Sequence, residues 1–352
     1  MKLSEQTLSL LNDIENRIFP EVEEDYILKW KDFWEGKCDD VVFAPKRKTV
    51  SAPSVAHRDI NINDALADYD LMLYTQLVGV SKALTSGKGA LSVRANYGTG
   101  ILTSLFGAEV FVMPRSQNTL PTTKSFNDTD KIRSVLEKGI PSFDTGFGKN
   151  VFEFGEMCRE VFEGYPKISK YVYTYHPDTQ GPLDIAELLW GSEMFYSMYD
   201  EPELVHDLLR LITDTYTSFL DKWFAMYPNR SDLNAHWDIL MKGNICLRND
   251  SAMNLSPDFY REFAFKYDKY LLDYYSGGIV HFCGRGDHYI DILASAENLT
   301  GINLSQPQYN DMNKIFNTAI DNGKKLLALR ADACDEYASR PDAVKSMIYK
   351  RA

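Results

Sequence analysis

From Val41 onward, short apolar runs alternate with longer stretches whose apolar residues recur every three to four positions. No other feature narrows the fold as much. A strand, a helix and a second strand joined in that order pair in parallel, because the crossover needs the helix. Val41–Pro45, Ala90–Asn96, Tyr171–Tyr175, Asn244–Leu247, Ile279–Phe282, Gly301–Leu304 and Lys325–Leu329 read as strands. Asn63–Leu84, Asn150–Gly164, Leu183–Leu189, Glu201–Met226, Ser256–Tyr275, Tyr289–Ala296 and Asp311–Asn322 read as helices, with Pro341–Tyr349 as the last. The expectation is an α/β fold.

Residues 1–40 read as a helical N-terminal extension, and residues 41–352 as the main domain. Pro20 separates two amphipathic helices, the second carrying Trp30, Phe33 and Trp34. These aromatics are expected to pack on the main body or to form a homodimer face. Residues 114–150 are rich in Pro, Thr, Asn, Asp and Gly around a short helix at Lys131–Lys138, and an insertion of that length suggests a lid.

The chain has 352 residues, and 38 Lys and Arg against 50 Asp and Glu give a net charge of −12. Without a long basic block, nucleic acid and anionic membrane are not expected partners. No apolar run approaches the roughly 20 residues of a spanning helix. The N-terminus lacks the apolar core of a secretion signal. Five widely spaced cysteines do not make a disulfide framework, so the expected setting is the cytoplasm.

The strand Ile279-Val280-His281-Phe282-Cys283-Gly284 leaves through a polar, glycine-rich exit. Residues two apart on a strand share a face, about 7 Å apart. His281 and Cys283 can therefore both reach a zinc-sized ion, which takes N and S ligands. The competing reading is a buried thiol beside a backbone-capping imidazole. Polar residues also crowd the other strand ends: Arg94/Asn96/Tyr97, His176/Asp178/Gln180, Arg248/Asp250, Asn303/Gln306 and Arg330/Asp332. The arginines suit an anionic, carboxylate-bearing substrate, or they form internal ion pairs that hold loops. Trp237 reads as core or as a pocket wall.

Three stretches resemble the uroporphyrinogen decarboxylase superfamily, over about residues 90–350. The first is Tyr175-His176-Pro177-Asp178-Thr179-Gln180-Gly181-Pro182-Leu183, with Tyr199-Asp200-Glu201-Pro202-Glu203-Leu204 after it. The second runs from Asp250 through Leu255-Ser256-Pro257-Asp258 to Phe263. The third is His281-Phe282-Cys283-Gly284 with Gly301-Ile302-Asn303. The resemblance implies a (β/α)8 barrel of the TIM type. The His-x-Cys-Gly motif is similar to the branch of zinc-dependent methyltransferases that exchange a methyl group between a corrinoid protein and a thiol. There the His and Cys bind zinc, with a further Cys from the last strand. Nothing after Arg340 matches that Cys, so an atypical or incomplete last strand is expected. A third ligand would come from Cys334, Asp250, His236 or water. The decarboxylase branch's arginine-rich N-terminal signature is missing, and no Asp stands near Ala95-Asn96-Tyr97.

The expected activity is zinc-assisted methyl transfer from a corrinoid protein to a thiol-type acceptor. His281 and Cys283 would be the ligands. Asp250, His176 and Asp178 would be catalytic. Arg94, Asn96, Tyr97, Gln180, Arg248, Asn303, Gln306 and Arg330 would bind substrate. The alternatives are a metal-free decarboxylase or lyase acting on a small carboxylate other than uroporphyrinogen, and a non-catalytic binding protein.

Overall fold

The computed structural model describes residues 2–229 and 232–351. Its strands are β1 Val42–Phe43, β2 Ser92–Val93, β3 Val110–Phe111, β4 Thr122–Thr123, β5 Tyr173–Thr174, β6 Leu233–His236, β7 Ile239–Lys242, β8 Ile245–Arg248, β9 Gly278–Phe282, β10 Leu299–Leu304, β11 Lys325–Leu329 and β12 Ile348–Lys350. Six form one parallel sheet in the order β1-β12-β11-β10-β9-β8, so the first and last strands lie side by side. β2 and β5 pair in parallel as a separate sheet. β3–β4 and β6–β7 are antiparallel hairpins. The mixed α/β class follows the alternation seen in the sequence.

Between β5 and β8 a side chain stands in for ladder bonds. Cys246 N–H donates to His176 Nε2 at 3.1 Å, and beyond it Gly181 N–H donates to the Arg248 carbonyl at 2.8 Å.

Strand alternation sorts the core into two clusters. Ile245, Leu247, Val280, Phe282, Ile302, Leu304, Leu326 and Ile348 face the helices. Cys246, Ile279, Leu327 and Tyr349 face the other way, where they meet Tyr26, Trp30, Phe33 and the β6–β7 hairpin. Trp30 and Phe33 are fully buried, and the Phe33 ring stacks on Phe43 at 4.6 Å. Trp34 Nε1 donates to the Leu240 carbonyl at 2.8 Å. The N-terminal aromatics thus close one end of the inward face, and the polar strand exits occupy the other.

Three expectations need correction. Residues 341–349 are not a helix: Ile348–Lys350 is strand β12, and the last helix is Ala331–Ala338. A strand of three residues carries too short a pattern to be told from a helical turn. The long helix expected over Asn63–Leu84 is two, Ile62–Ala67 and Tyr69–Ser86. Asp68 leaves helical geometry there and its carboxylate caps the second helix at Asp70 N–H. The β6–β7 hairpin was not foreseen. Its turn, Trp237-Asp238, carries none of the Gly or Asn that two-residue hairpin turns favour.

Residues 114–150 pack on the helix Ile62–Ala67 through Arg115–Asp64, and on the loop after β2, where Pro121 approaches Gly98. None of them lines the clefts described below, among the described residues. No helix is long and apolar enough to cross a membrane, among the described residues.

Candidate metal centre

Register builds the site. Arg248, His281 and Asn303 are direct partners across β8, β9 and β10, so their side chains form one row on the inward face. Two residues further along the same face come Asp250, Cys283 and Ser305. Gly284, at φ +74°, turns the chain immediately after Cys283, and a Cβ there would meet Met253 Sδ at 2.5 Å.

Donor atoms from Asp250, His281 and Cys283 all lie within 4.8 Å of one another. His281 Nε2 is 3.5 Å from Cys283 Sγ and 3.6 Å from Asp250 Oδ1. Tetrahedral ligands at zinc distances stand about 3.3–3.8 Å apart. The two separations fall in that range, and the N, S, O donor set suits zinc.

The imidazole is oriented by its other nitrogen. Asn303 Nδ2 donates to the Leu327 carbonyl at 2.6 Å, so Asn303 Oδ1 is left as an acceptor. It lies 2.6 Å from His281 Nδ1, which must therefore carry the proton. The Nε2 lone pair then faces Cys283 and Asp250, as ligation requires. Burial holds the imidazole below its usual range, against the opposing pull of Asp250 and the bond to Asn303. The ring is neutral at pH 7.

Asp250 Oδ1 accepts Cys283 N–H at 2.7 Å, and Cys283 Sγ lies 3.0 Å from Ser305 Oγ. Burial pushes the thiol up to about 11, with Asp250's charge adding to the rise and the Ser305 bond opposing it. A cation would be needed to hold this sulfur as thiolate at neutral pH. Behind Asp250, the buried Asp184 accepts Asp250 N–H at 2.9 Å, Ser251 N–H at 2.8 Å and Gln180 Nε2 at 3.1 Å. Gln306 Oε1 accepts Gly284 N–H at 2.6 Å.

A second polar cluster lies beside the first. Asp178 is ion-paired with both Arg94 and Arg248. Burial raises its carboxyl, but the two guanidinium groups more than offset this and hold it below the usual carboxylate range. Arg248 Nη2 donates to His236 Nε2 at 3.1 Å. The Trp237 ring joins the clusters: Arg248 lies over it at 4.8 Å from the centroid, and His281 meets it edge-on at 5.2 Å. Trp237 holds φ +52°, a left-handed conformation that a bulky side chain adopts at a cost of roughly 1–2 kcal/mol. Ala328, also at φ +52°, lines the same cleft as Trp237. Strain of this kind gathers at functional sites.

The residues expected at the site therefore divide. Asp250, His281, Cys283, Asn303 and Gln306 come together, and Arg94, Asp178 and Arg248 form the neighbouring cluster. Gln180 reaches the centre only through Asp184. His176 uses both ring nitrogens on backbone, Nδ1 lying 2.8 Å from the Pro177 carbonyl and Nε2 taking Cys246 N–H. Tyr97 is fully buried in the helix-side core, 5.1 Å from Phe147. Asn96 lines neither cleft. Arg330 is half-exposed and pairs with Asp332 at 2.9 Å on the surface. Of the third-ligand candidates, Asp250 joins the cluster. Cys334 is buried on the helix Ala331–Ala338, with Sγ 3.7 Å from the Leu329 carbonyl.

Asp184 and Ser305 went unread in the sequence as parts of the site, and Trp237, read as core or as a pocket wall, lines both clefts. Ser305 was accessible, lying two residues after Asn303.

No protein-family model matches the chain, and no curated protein matches it in sequence.

Proposed function

We propose that the chain is a zinc-dependent enzyme with an eight-stranded barrel of the uroporphyrinogen decarboxylase superfamily, acting in the cytoplasm. Six parallel strands in one sheet and a separate parallel pair, β2 with β5, linked to β8 through His176 and Gly181, support the barrel reading. The reading of the site rests on one observation: Asp250, His281 and Cys283 present O, N and S donors within 4.8 Å of one another, with the tautomer of His281 set by Asn303.

Asp250, His281 and Cys283 would hold the ion. Zinc bound there supplies a Lewis acid that keeps an acceptor thiol ionised and nucleophilic at neutral pH. The protein's own part is to fix the ligands. Asn303 orients the imidazole, Asp184 anchors the backbone of Asp250, and Gly284 turns the chain clear of Cys283. The methyl donor in this reading is a corrinoid protein, and the product is a thioether.

The test is elemental analysis of wild type, Asp250→Asn, His281→Ala and Cys283→Ser after expression with added zinc. Stoichiometric zinc in wild type, lost in the variants, is the expected result. Wild type free of zinc, with the fold intact, overturns it and leaves the metal-free lyase, with the neutral His281 as base.

A further inference from the structure

A cleft of about 630 Å³ opens between the helix Tyr69–Ser86 and β2. Gln76, Ser92, Arg94, Tyr175 and Trp237 line it, and Lys82 stands exposed at its rim. On the other side of the Trp237-Asp238 turn is a cleft of about 390 Å³ that contains His281, Asn303, Ala328 and Arg351. Trp237 thus lies between the candidate metal centre and the larger cleft.

The charge at the inner end of the larger cleft does not balance. Arg94 and Arg248 bring two positive charges, and Asp178 between them brings one negative. His236 adds none: a guanidinium can only donate, so its Nε2 must accept from Arg248 and the ring carries a single proton, on Nδ1. That Nδ1–H and Arg248 Nε–H are buried without a hydrogen-bond partner among the described residues. Arg248 is 6% exposed and His236 0%. A buried unit with one surplus positive charge is costly unless an anion offsets it, and Arg94 is the member of the unit that lines the cleft. Asp238, the acid in the lining among the described residues, is raised by burial, with the positive charge of Arg351 opposing the rise.

We propose that this cleft is a subsite for a flat carboxylate, its acid group held by Arg94 with Arg248 behind and its body lying against Trp237. A carboxylate matches the guanidinium fork, and an unsaturated body matches an indole already packed on its other contacts by a cation and an imidazole. The inference builds on the functional reading above by naming the substrate class, and its test is separate.

Binding is measured by calorimetry with benzoate, its neutral isostere benzamide, acetate and inorganic phosphate. Benzoate is expected to bind about tenfold or more tighter than benzamide, the worth of a charge-assisted hydrogen bond. Arg94→Gln leaves Asp178 and Arg248 as a neutral pair, so it is expected to fold while losing that preference. Asp178→Asn frees both guanidinium groups, so it is expected to bind benzoate tighter than wild type and to gain thermal stability when benzoate is added. Trp237→Leu is expected to reduce benzoate to the level of acetate. Equal binding of benzoate and benzamide overturns the proposal, as does benzoate affinity that Arg94→Gln leaves unchanged. Phosphate displacing benzoate with the same dependence on Arg94 overturns the carboxylate assignment in favour of a phosphoryl group. Should Asp178→Asn fail to fold, Arg94→Gln beside Arg94→Lys still decides. Zinc is measured on the same samples. Zinc present without anion preference sinks the subsite alone, and anion preference without zinc sinks the metal reading alone.

Discussion

Asp268→Asn should make the protein more stable, and increasingly so as the pH rises. Asp268 is 1% exposed. Asn249 Nδ2 donates to its Oδ2 at 2.5 Å, and its Oδ1 has no partner among the described residues. Burial pushes the carboxyl up to about 7 from the ordinary 3.8, and the bond from Asn249 offsets only part of the rise. Between those values the native state holds a proton that the unfolded state has released. Stability therefore falls as pH rises through this window, and the full loss is present above about 7. At about 1.36 kcal/mol per unit, the loss is on the order of 4 kcal/mol at high pH. About half has already been incurred at pH 5.5. Asparagine has the same shape, keeps an acceptor for Asn249 and cannot ionise. The advantage of Asp268→Asn over wild type should grow by about 2 kcal/mol between pH 5.5 and pH 8.5. Urea unfolding of both proteins at the two pH values measures it, and the difference between them cancels every other titrating group. An advantage that does not change with pH, or a variant less stable at pH 8.5, would refute the reasoning. Zinc content should stay as in wild type, since Asn249 N–H still donates to the His281 carbonyl at 2.9 Å.

Three further outcomes are expected. Asn303→Leu frees the His281 ring and should weaken zinc binding about 10- to 100-fold, measured by competition with a chromophoric chelator; unchanged affinity would show that the ring is held elsewhere. Asp184→Asn sets an amide N–H against the N–H of Asp250 or Ser251, which should loosen the zinc site in the same titration; unchanged zinc affinity would show that Asp184 does not hold the backbone of Asp250. Trp30→Ala should cost about 3–5 kcal/mol in urea unfolding, because its ring packs on Phe33, Phe43 and Tyr349; a loss near zero would mean that residues 1–40 fold apart from the rest.

What the sequence determined by itself was whatever is written locally. The alternation of strand and helix patterns specified the α/β class, because period-2 and period-3.6 burial are properties of consecutive residues. The same alternation put His281 with Cys283 and Asn303 with Ser305 on shared faces. Most helix positions were legible from their apolar faces and their stops at proline or glycine. Where a pattern shrank to three residues, as at Ile348–Lys350, strand and helix could not be separated. Only the tertiary structure decided which strand ends meet. Asp250 joins His281 and Cys283, and Cys334 does not, because β8 lies beside β9 in register while Cys334 sits on a helix behind the sheet. The same holds for Arg94, Asp178 and Arg248, whose charges balance or fail to balance only once three separate strand exits are side by side. Trp237 is the extreme case. Its position between the two clefts follows from a hairpin folded into the inward face and from a left-handed φ that the surrounding contacts enforce, and no neighbouring residue in the chain signals either.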